Sequence, residues 1–325
     1  MLITAVLTTY NRLDLAKRAI TSILEQSYTQ TEILVVEDGS ETGLNDWINH
    51  NSFNNIKYHN NQINKGLAAS RNWGINNANG KYIGFLDDDD EWKPSILEEA
   101  AINLSSLSTE QKSRVGSVSF GIELIKNNKT IAYGYQKNSG NLEKSIKSIG
   151  AFTLSSSSIY QIDALKAVGK FDQSLKSSID HDIWMSLAKG GYSVLTINKP
   201  LVTTYINSRT RLTTDPLNRL KNVEAYLNKW LPTYQKWFGK QNGIDYANRY
   251  FAKVASNLAI THLINGELSG FSVVVKKIFK KNPPVFENLK FLFVSFLRET
   301  IFYKMQPNTI NLIRKILKKN VAGIS

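Results

Sequence analysis

The 325-residue sequence contains no cysteine, which excludes a disulfide framework, a thiolate metal site and a thiolate nucleophile. The same absence fits a reducing compartment. No stretch reaches the ~18–20 uncharged apolar residues of a membrane span. The nearest, FENLKFLFVSFLRETIFYKM at 286–305, carries five charged residues. The opening MLITAVLTTYNR has no basic n-region and only a short apolar run, so a cleaved leader is not expected. Neither GxxxxGK[ST] nor GxGxxG occurs, which argues against a P-loop and against a Rossmann dinucleotide site. There is no internal repeat and no long low-complexity linker. Excess charge is also missing from most of the chain. Residues 216–325 hold 18 Lys/Arg against 5 Asp/Glu, the whole of the net +13, whereas residues 1–215 hold 22 of each. Attraction to an anionic partner therefore belongs to the C-terminal third.

What is present is a hydrophobic content of 42%, enough for one sizeable core and a second unit. LITAVL (2–7), EILVVEDGS (32–40) and KYIGFL (81–86) read as buried strands, the second stopping at an Asp-Gly-Ser turn. Between them, LDLAKRAITSILEQ (13–26) has the apolar stripe of an amphipathic helix, and GLAASRNWGINNA (66–78) is helical with Gly80 as its cap. Pro94 opens a further helix over 94–107. Strands alternating with helices predict an α/β domain with a mostly parallel sheet covered on both faces. Beyond residue 115, paired strands at 115–125 and 129–136 flank an Asn-Asn turn, and 151–161 is another strand candidate. A short helix over 180–189 precedes a strand at 192–206. From 216 the pattern is helical, at 216–238, 245–265, 271–281, 285–305 and 309–319. These divisions predict two domains, 1–215 and 216–325.

The stretch KYIGFLDDDDEWKP at 81–94 runs a buried strand into four aspartates, Asp87–Asp90. Neighbouring carboxylates raise one another's pKa unless a cation or a set of donors lies among them. Ligands of open α/β sheets bind beyond the carboxyl ends of the strands. Three such ends carry polar groups: Thr8-Thr9-Tyr10-Asn11, Glu37-Asp38-Gly39-Ser40 and the aspartates. A phosphate site without a glycine-rich loop needs a metal, and Mg²⁺ or Mn²⁺ bridges carboxylates to phosphates. An Asp-x-Asp at a strand end can hold one such ion and a ribose hydroxyl. Asp90 and Glu91 read as solvated acids ahead of the Pro94 helix.

The blocks VLTTYNR, SILEQSY, EILVVEDGS, NKGLAASRNWGI, GKYIGFLDDDDEW and DHDIWMSLAKGGY, in this order over residues 1–215, resemble family 2 inverting glycosyltransferases of GT-A fold. The resemblance implies a nucleotide-diphospho-sugar donor, UDP-linked. Tyr10 would stack on its base with Thr8 nearby, and Asp38 would accept from the base. Arg71 would face the diphosphate. Asp87 and Asp89 would be the ends of a DxD motif, Asp87 near ribose or metal and Asp89 on the metal, with Asp88 between them on the donor. Asp180 would be the catalytic base and Trp184 would help line the acceptor side. Two departures stand out. The family's Glu-Asp pair reads Ile179-Asp180, with Asp182 two residues on as the alternative base. The loop TTYINSRTRLTTDP lacks the family's metal-completing histidine, leaving Asn207 as a weak substitute or Arg209 and Arg211 to neutralise the diphosphate.

Residues 276–325 hold 11 basic and 2 acidic residues interleaved with Phe291, Phe293, Phe296, Ile301, Phe302 and Tyr303. A basic amphipathic segment of this kind predicts contact with an anionic membrane surface. The resulting expectation is a cytoplasmic enzyme, peripheral on the inner face of the cell membrane. It would build lipopolysaccharide, capsule or a related polysaccharide on a glycan or lipid-linked acceptor. Two other readings use the same residues. A metal-dependent nucleic-acid-binding protein or nuclease needs charge that residues 1–215 lack. A non-catalytic sugar-nucleotide scaffold has no need of Asp87, Asp89 and Asp180 together.

Overall fold

The computed structural model describes residues 1–151, 156–206, 216–264, 266–280 and 285–304, without side-chain detail at 216, 264, 285–287 and 298–304. The chain forms two compact units, Met1–Asn207 and Ser208–Ser325.

The first unit is built on a sheet of ten strands among the described residues. In chain order its elements are β1 (Ile3–Thr9), α1 (Leu13–Leu24), β2 (Thr31–Glu37), α2 (Leu44–His50), β3 (Ile56–Asn60), α3 (Leu67–Asn77), β4 (Tyr82–Asp87) and β5 (Asp90–Trp92). There follow α4 (Ile96–Ser105), α5 (Thr109–Arg114), β6 (Val115–Lys126), β7 (Lys129–Gly134), β8 (Gly140–Asn141), α6 (Leu142–Ile149), β9 (Ser158–Gln161), α7 (Ile162–Ala167), α8 (Ile179–Lys189) and β10 (Ser193–Tyr205). The strand order is β3-β2-β1-β4-β9-β6-β10-β5, with β7 on β6 and β8 on β10.

The first four strands pair in parallel. β1 is buried along its whole length, which is why it reads as an unbroken apolar run and sits in the middle of this layer. The far half is mixed: β9 lies antiparallel between β4 and β6, and β10 runs parallel to β6 but antiparallel to β5. α1 buries Ala16, Ala19, Ile20 and Ile23, the predicted stripe. α3 instead buries small and polar residues, Ala68, Ser70, Arg71, Asn72, Gly74 and Ile75. Gly74 is required there, since a Cβ would lie 2.9 Å from Val6 Cγ1 on β1. The helix thus lies close to the sheet and carries a guanidinium into the interior.

The second unit consists, among the described residues, of α9 (Pro216–Phe238), α10 (Lys240–Ile264), α11 (Leu268–Lys280) and α12 (Val285–Lys304). α10 packs on the other three. Its interior is aromatic at one end, where the Tyr226 and Tyr234 hydroxyls meet at 3.1 Å. The helix expected over 309–319 falls outside the described residues. Among those residues no helix is long and apolar enough to cross a membrane.

Leu86, fully buried on β4, reports on the core beneath the strand ends. Leu86→Ala should lower the unfolding free energy by about 2–5 kcal/mol, seen as a lower urea midpoint at unchanged slope.

Candidate functional site

The parallel register places three strand ends side by side. Thr8 lies opposite both Val36 and Asp87, and Thr9 lies opposite Glu37. Thr8 is buried at this edge, while the Tyr10 ring just beyond it is exposed. Asn11 turns the chain with φ +55° and donates its N–H to Ser40 Oγ at 3.1 Å.

Asp38 is buried, and its carboxylate organises the loop ahead of α3. Oδ1 accepts from Asn61 Nδ2 at 2.7 Å and from the Lys65 N–H at 2.9 Å; Oδ2 accepts the Gly66 N–H at 2.8 Å. The next residue must be glycine: Gly39 has φ +76°, and a Cβ there would fall 2.2 Å from the Asn64 nitrogen. The Asp38 carboxylate therefore already has three protein donors, and any contact with a base would use the remaining capacity of Oδ2.

The four aspartates alternate between cleft and interior. Asp87 ends β4; its N–H donates to Ser156 Oγ at 3.0 Å. Asp88 turns inward and accepts from Thr9 Oγ1 at 2.8 Å and Arg12 Nη1 at 2.9 Å, so its expected place on the donor is taken by protein groups. Asp89 is the outermost, its side chain 47% exposed, with Arg12 Nη1 3.4 Å away. Asp90 is not the solvated acid that the sequence suggests. β5 places it opposite Thr204 on β10, where it is buried and its carboxyl is held well above the usual carboxylate range, first by burial and then by Asp87. Burial also raises Asp87, with Asp180 and Asp89 adding to the shift and Arg71 opposing it.

Arg71 joins the acidic turn to a distant helix. Its Nη2 donates to Asp87 Oδ1 and its Nη1 to Asp180 Oδ1, both at 2.7 Å. The guanidinium is buried over the rings of Phe85 and Phe171, 5.5 and 5.3 Å from their centroids. The two carboxylates outweigh the cost of burial and raise its pKa, so it stays charged. Asp87 and Asp180 each keep about a quarter of their side chain open, 24% and 25%. α8 begins after Ser178, in the left-handed conformation at φ 61°, and this entry puts Asp180 toward Arg71 while Asp182 is buried.

Trp184 does not line the acceptor side. It is fully buried, one helical turn (~5.4 Å) deeper than Asp180, and its Nε1 donates to the Tyr160 hydroxyl at 3.3 Å. Burial, with Asp180 nearby, pushes that hydroxyl up to about 12. Asn207, Arg209 and Arg211 lie outside the described residues. The sequence reading placed Thr9 at the β1 end without a partner and missed Arg12, Ser156 and Asn61; of these only Arg12, the first cation after the β1 end, carried a signal.

The donor set suits a hard cation that brings its own ligands. Among the described residues no cluster of three or more acidic or histidine side chains could hold a metal alone. Asp87 and Asp89 present hard carboxylate oxygens whose mutual repulsion a cation would relieve. One or two carboxylates completed by phosphate and water is the usual binding mode of Mg²⁺.

Residues 4–106 match the family model Glycosyl transferase family 2. WcaA of Escherichia coli K12, a glycosyl transferase named for colanic acid biosynthesis, is 42% identical over 98 residues, 30% of this chain and 35% of that protein. WfgD of E. coli, named as a UDP-Glc:alpha-D-GlcNAc-diphosphoundecaprenol beta-1,3-glucosyltransferase, is 30% identical over 130 residues, 40% of this chain and 49% of that one. The matches thus span about a third to a half of these relatives. Two solved structures share the fold. Staphylococcus aureus TarS 1–349 with UDP-GlcNAc has TM-score 0.58 at 18% identity, covering 84% of this chain and 90% of that one. The mannosyltransferase PcManGT of Pyrobaculum calidifontis with GDP-Man and Mn²⁺ has TM-score 0.55 at 15% identity, covering 93% and 88%.

Two substitutions probe this geometry. Arg71→Met leaves Asp87 and Asp180 facing each other without their cation, and should cost about 3 kcal/mol at neutral pH. The loss should shrink as the pH falls and Asp87, raised by burial, protonates, measured as melting temperature against pH. Trp184→Phe opens a small cavity and loses the hydrogen bond to Tyr160, so it should cost about 2–3 kcal/mol and leave donor affinity unchanged by calorimetry.

Proposed function

We propose that this chain, which belongs to glycosyl transferase family 2 and has the GT-A fold, moves one sugar with inversion from a UDP-linked donor. The acceptor is a hydroxyl of a glycan or lipid-linked glycan in surface-polysaccharide assembly. The observation that carries the proposal is the Arg71 bridge, which fixes a cleft-facing carboxylate, Asp180, beside the acidic strand end.

Inversion is a single displacement at the anomeric carbon, requiring a base on the face opposite the leaving group and charge neutralisation beneath it. Asp180 takes the acceptor proton, its carboxylate oriented by Arg71. Tyr10 offers an exposed ring for the base, and the loop pinned by Asp38 borders it. Asp89 and the outer oxygen of Asp87 would hold Mg²⁺ or Mn²⁺, which when bound acts as a Lewis acid on the departing diphosphate. Arg12, beside Asp89, adds positive charge at the same edge. Asp182, being buried, is the weaker candidate for the base.

UDP is favoured because TarS was solved with UDP-GlcNAc and WfgD is named for UDP-Glc; the GDP-Man complex of PcManGT makes GDP the alternative. WfgD's diphosphoundecaprenol acceptor, together with the basic C-terminal third, supports a membrane-borne acceptor and a peripheral position at the inner membrane face.

Calorimetric titration with UDP-, GDP- and TDP-sugars, with and without Mn²⁺, tests the donor side. Asp89→Asn should lose the Mn²⁺-dependent part of binding. Asp180→Asn should bind donor within about twofold of the parent yet release UDP at least about 100-fold more slowly. Undiminished UDP release by Asp180→Asn would remove the proposed base.

A further inference from the structure

α12 is inverted relative to an ordinary surface helix. Its inward side carries Asn288 and Ser295, both buried. Ser295 Oγ donates to Asn257 Oδ1 of α10 at 2.8 Å, while both amide atoms of Asn288 lack a partner among the described residues. Its outward side carries Leu289, Phe293 and Phe296, which are 53%, 61% and 42% exposed. Their spacing of four and three residues puts them on one stripe. Water is an unfavourable solvent for such a face, and contiguous exposed apolar surface marks an interaction site.

The surrounding charge selects the occupant. Lys290 on α12 and Lys276 and Lys280 on α11, which packs against α12, are exposed. The 216–325 segment carries the chain's entire net charge of +13. A second copy would bring the same positive charge to the contact, whereas an anionic bilayer complements it. An apolar stripe flanked by lysines fits a helix lying in the interfacial plane, and among the described residues no helix is long and apolar enough to span.

We infer that α12 docks flat on an anionic membrane, Leu289 and Phe293 entering the acyl boundary and Lys276, Lys280 and Lys290 contacting headgroups. The inference deepens the proposed transfer to a membrane-borne acceptor, and vesicle binding can be measured without turnover. The full chain is floated with vesicles of phosphatidylcholine alone or mixed with phosphatidylglycerol, at ~0.15 M salt. The parent should bind the mixed vesicles only. Leu289→Ser with Phe293→Ser should weaken binding by at least about tenfold, and Lys276→Gln with Lys280→Gln should weaken it and flatten its salt dependence. Phe293→Trp should shift its added emission to the blue on mixed vesicles.

Equal flotation of parent and serine variant would overturn the inference. So would a concentration-dependent dimer in light scattering that the serine variant abolishes, which would assign the stripe to a second copy. UDP-sugar binding by the serine variant should match the parent. Loss of donor binding in the parent itself would sink the transfer reading and leave the vesicle result standing.

Discussion

A single buried guanidinium sets the architecture of the cleft. Arg71 is taken inside by a helix of small and polar residues, and such a cation is tolerable only with paired, hydrogen-bonded anions. Its two partners come from the end of β4 and the first turn of α8, 16 and 109 residues away in sequence. The demand for charge compensation therefore ties the strand end to a helix that no sheet pairing would bring there. The Phe85 and Phe171 rings on which it rests exclude water and strengthen that demand.

The acidic turn shows how one composition divides into different duties. Asp88 and Asp90 point inward and meet protein donors; Asp87 and Asp89 remain at the cleft. Strand alternation carried across a short turn into β5 is enough to produce this division. Four like charges can be neighbours in sequence because they do not share one environment.

The parts most legible in the sequence were those with one strong local signal. β1, β2 and β4 read as apolar runs, α1 as a stripe, and α9 through α12 as a helical series. α2 and β3 went unread because LNDWINH and IKYHN are short and only half-buried, with neither apolar run nor stripe. At the site, residue types were legible and orientations were not. Asp180 and Asp182 differ by the entry angle at Ser178, a left-handed residue that no composition announces. Trp184 shares the helix face of Asp180 by spacing, but spacing carries no depth, and the face runs from the cleft into the core. The pairing of Arg71 with Asp180 is a long-range contact invisible to any local pattern.

The hold that Asp38 exerts on residues 61–66 is made largely through main-chain N–H groups of Lys65 and Gly66. A clasp on backbone atoms is indifferent to what most of the clasped residues are. Asn64 and Lys65 can be exchanged while the segment keeps its course and Ile63 projects into solvent, whereas Gln62 holds a left-handed backbone at φ +64°. At the edge where β1 and β2 end, evolution thus has a rim whose lettering can be rewritten without rebuilding the frame.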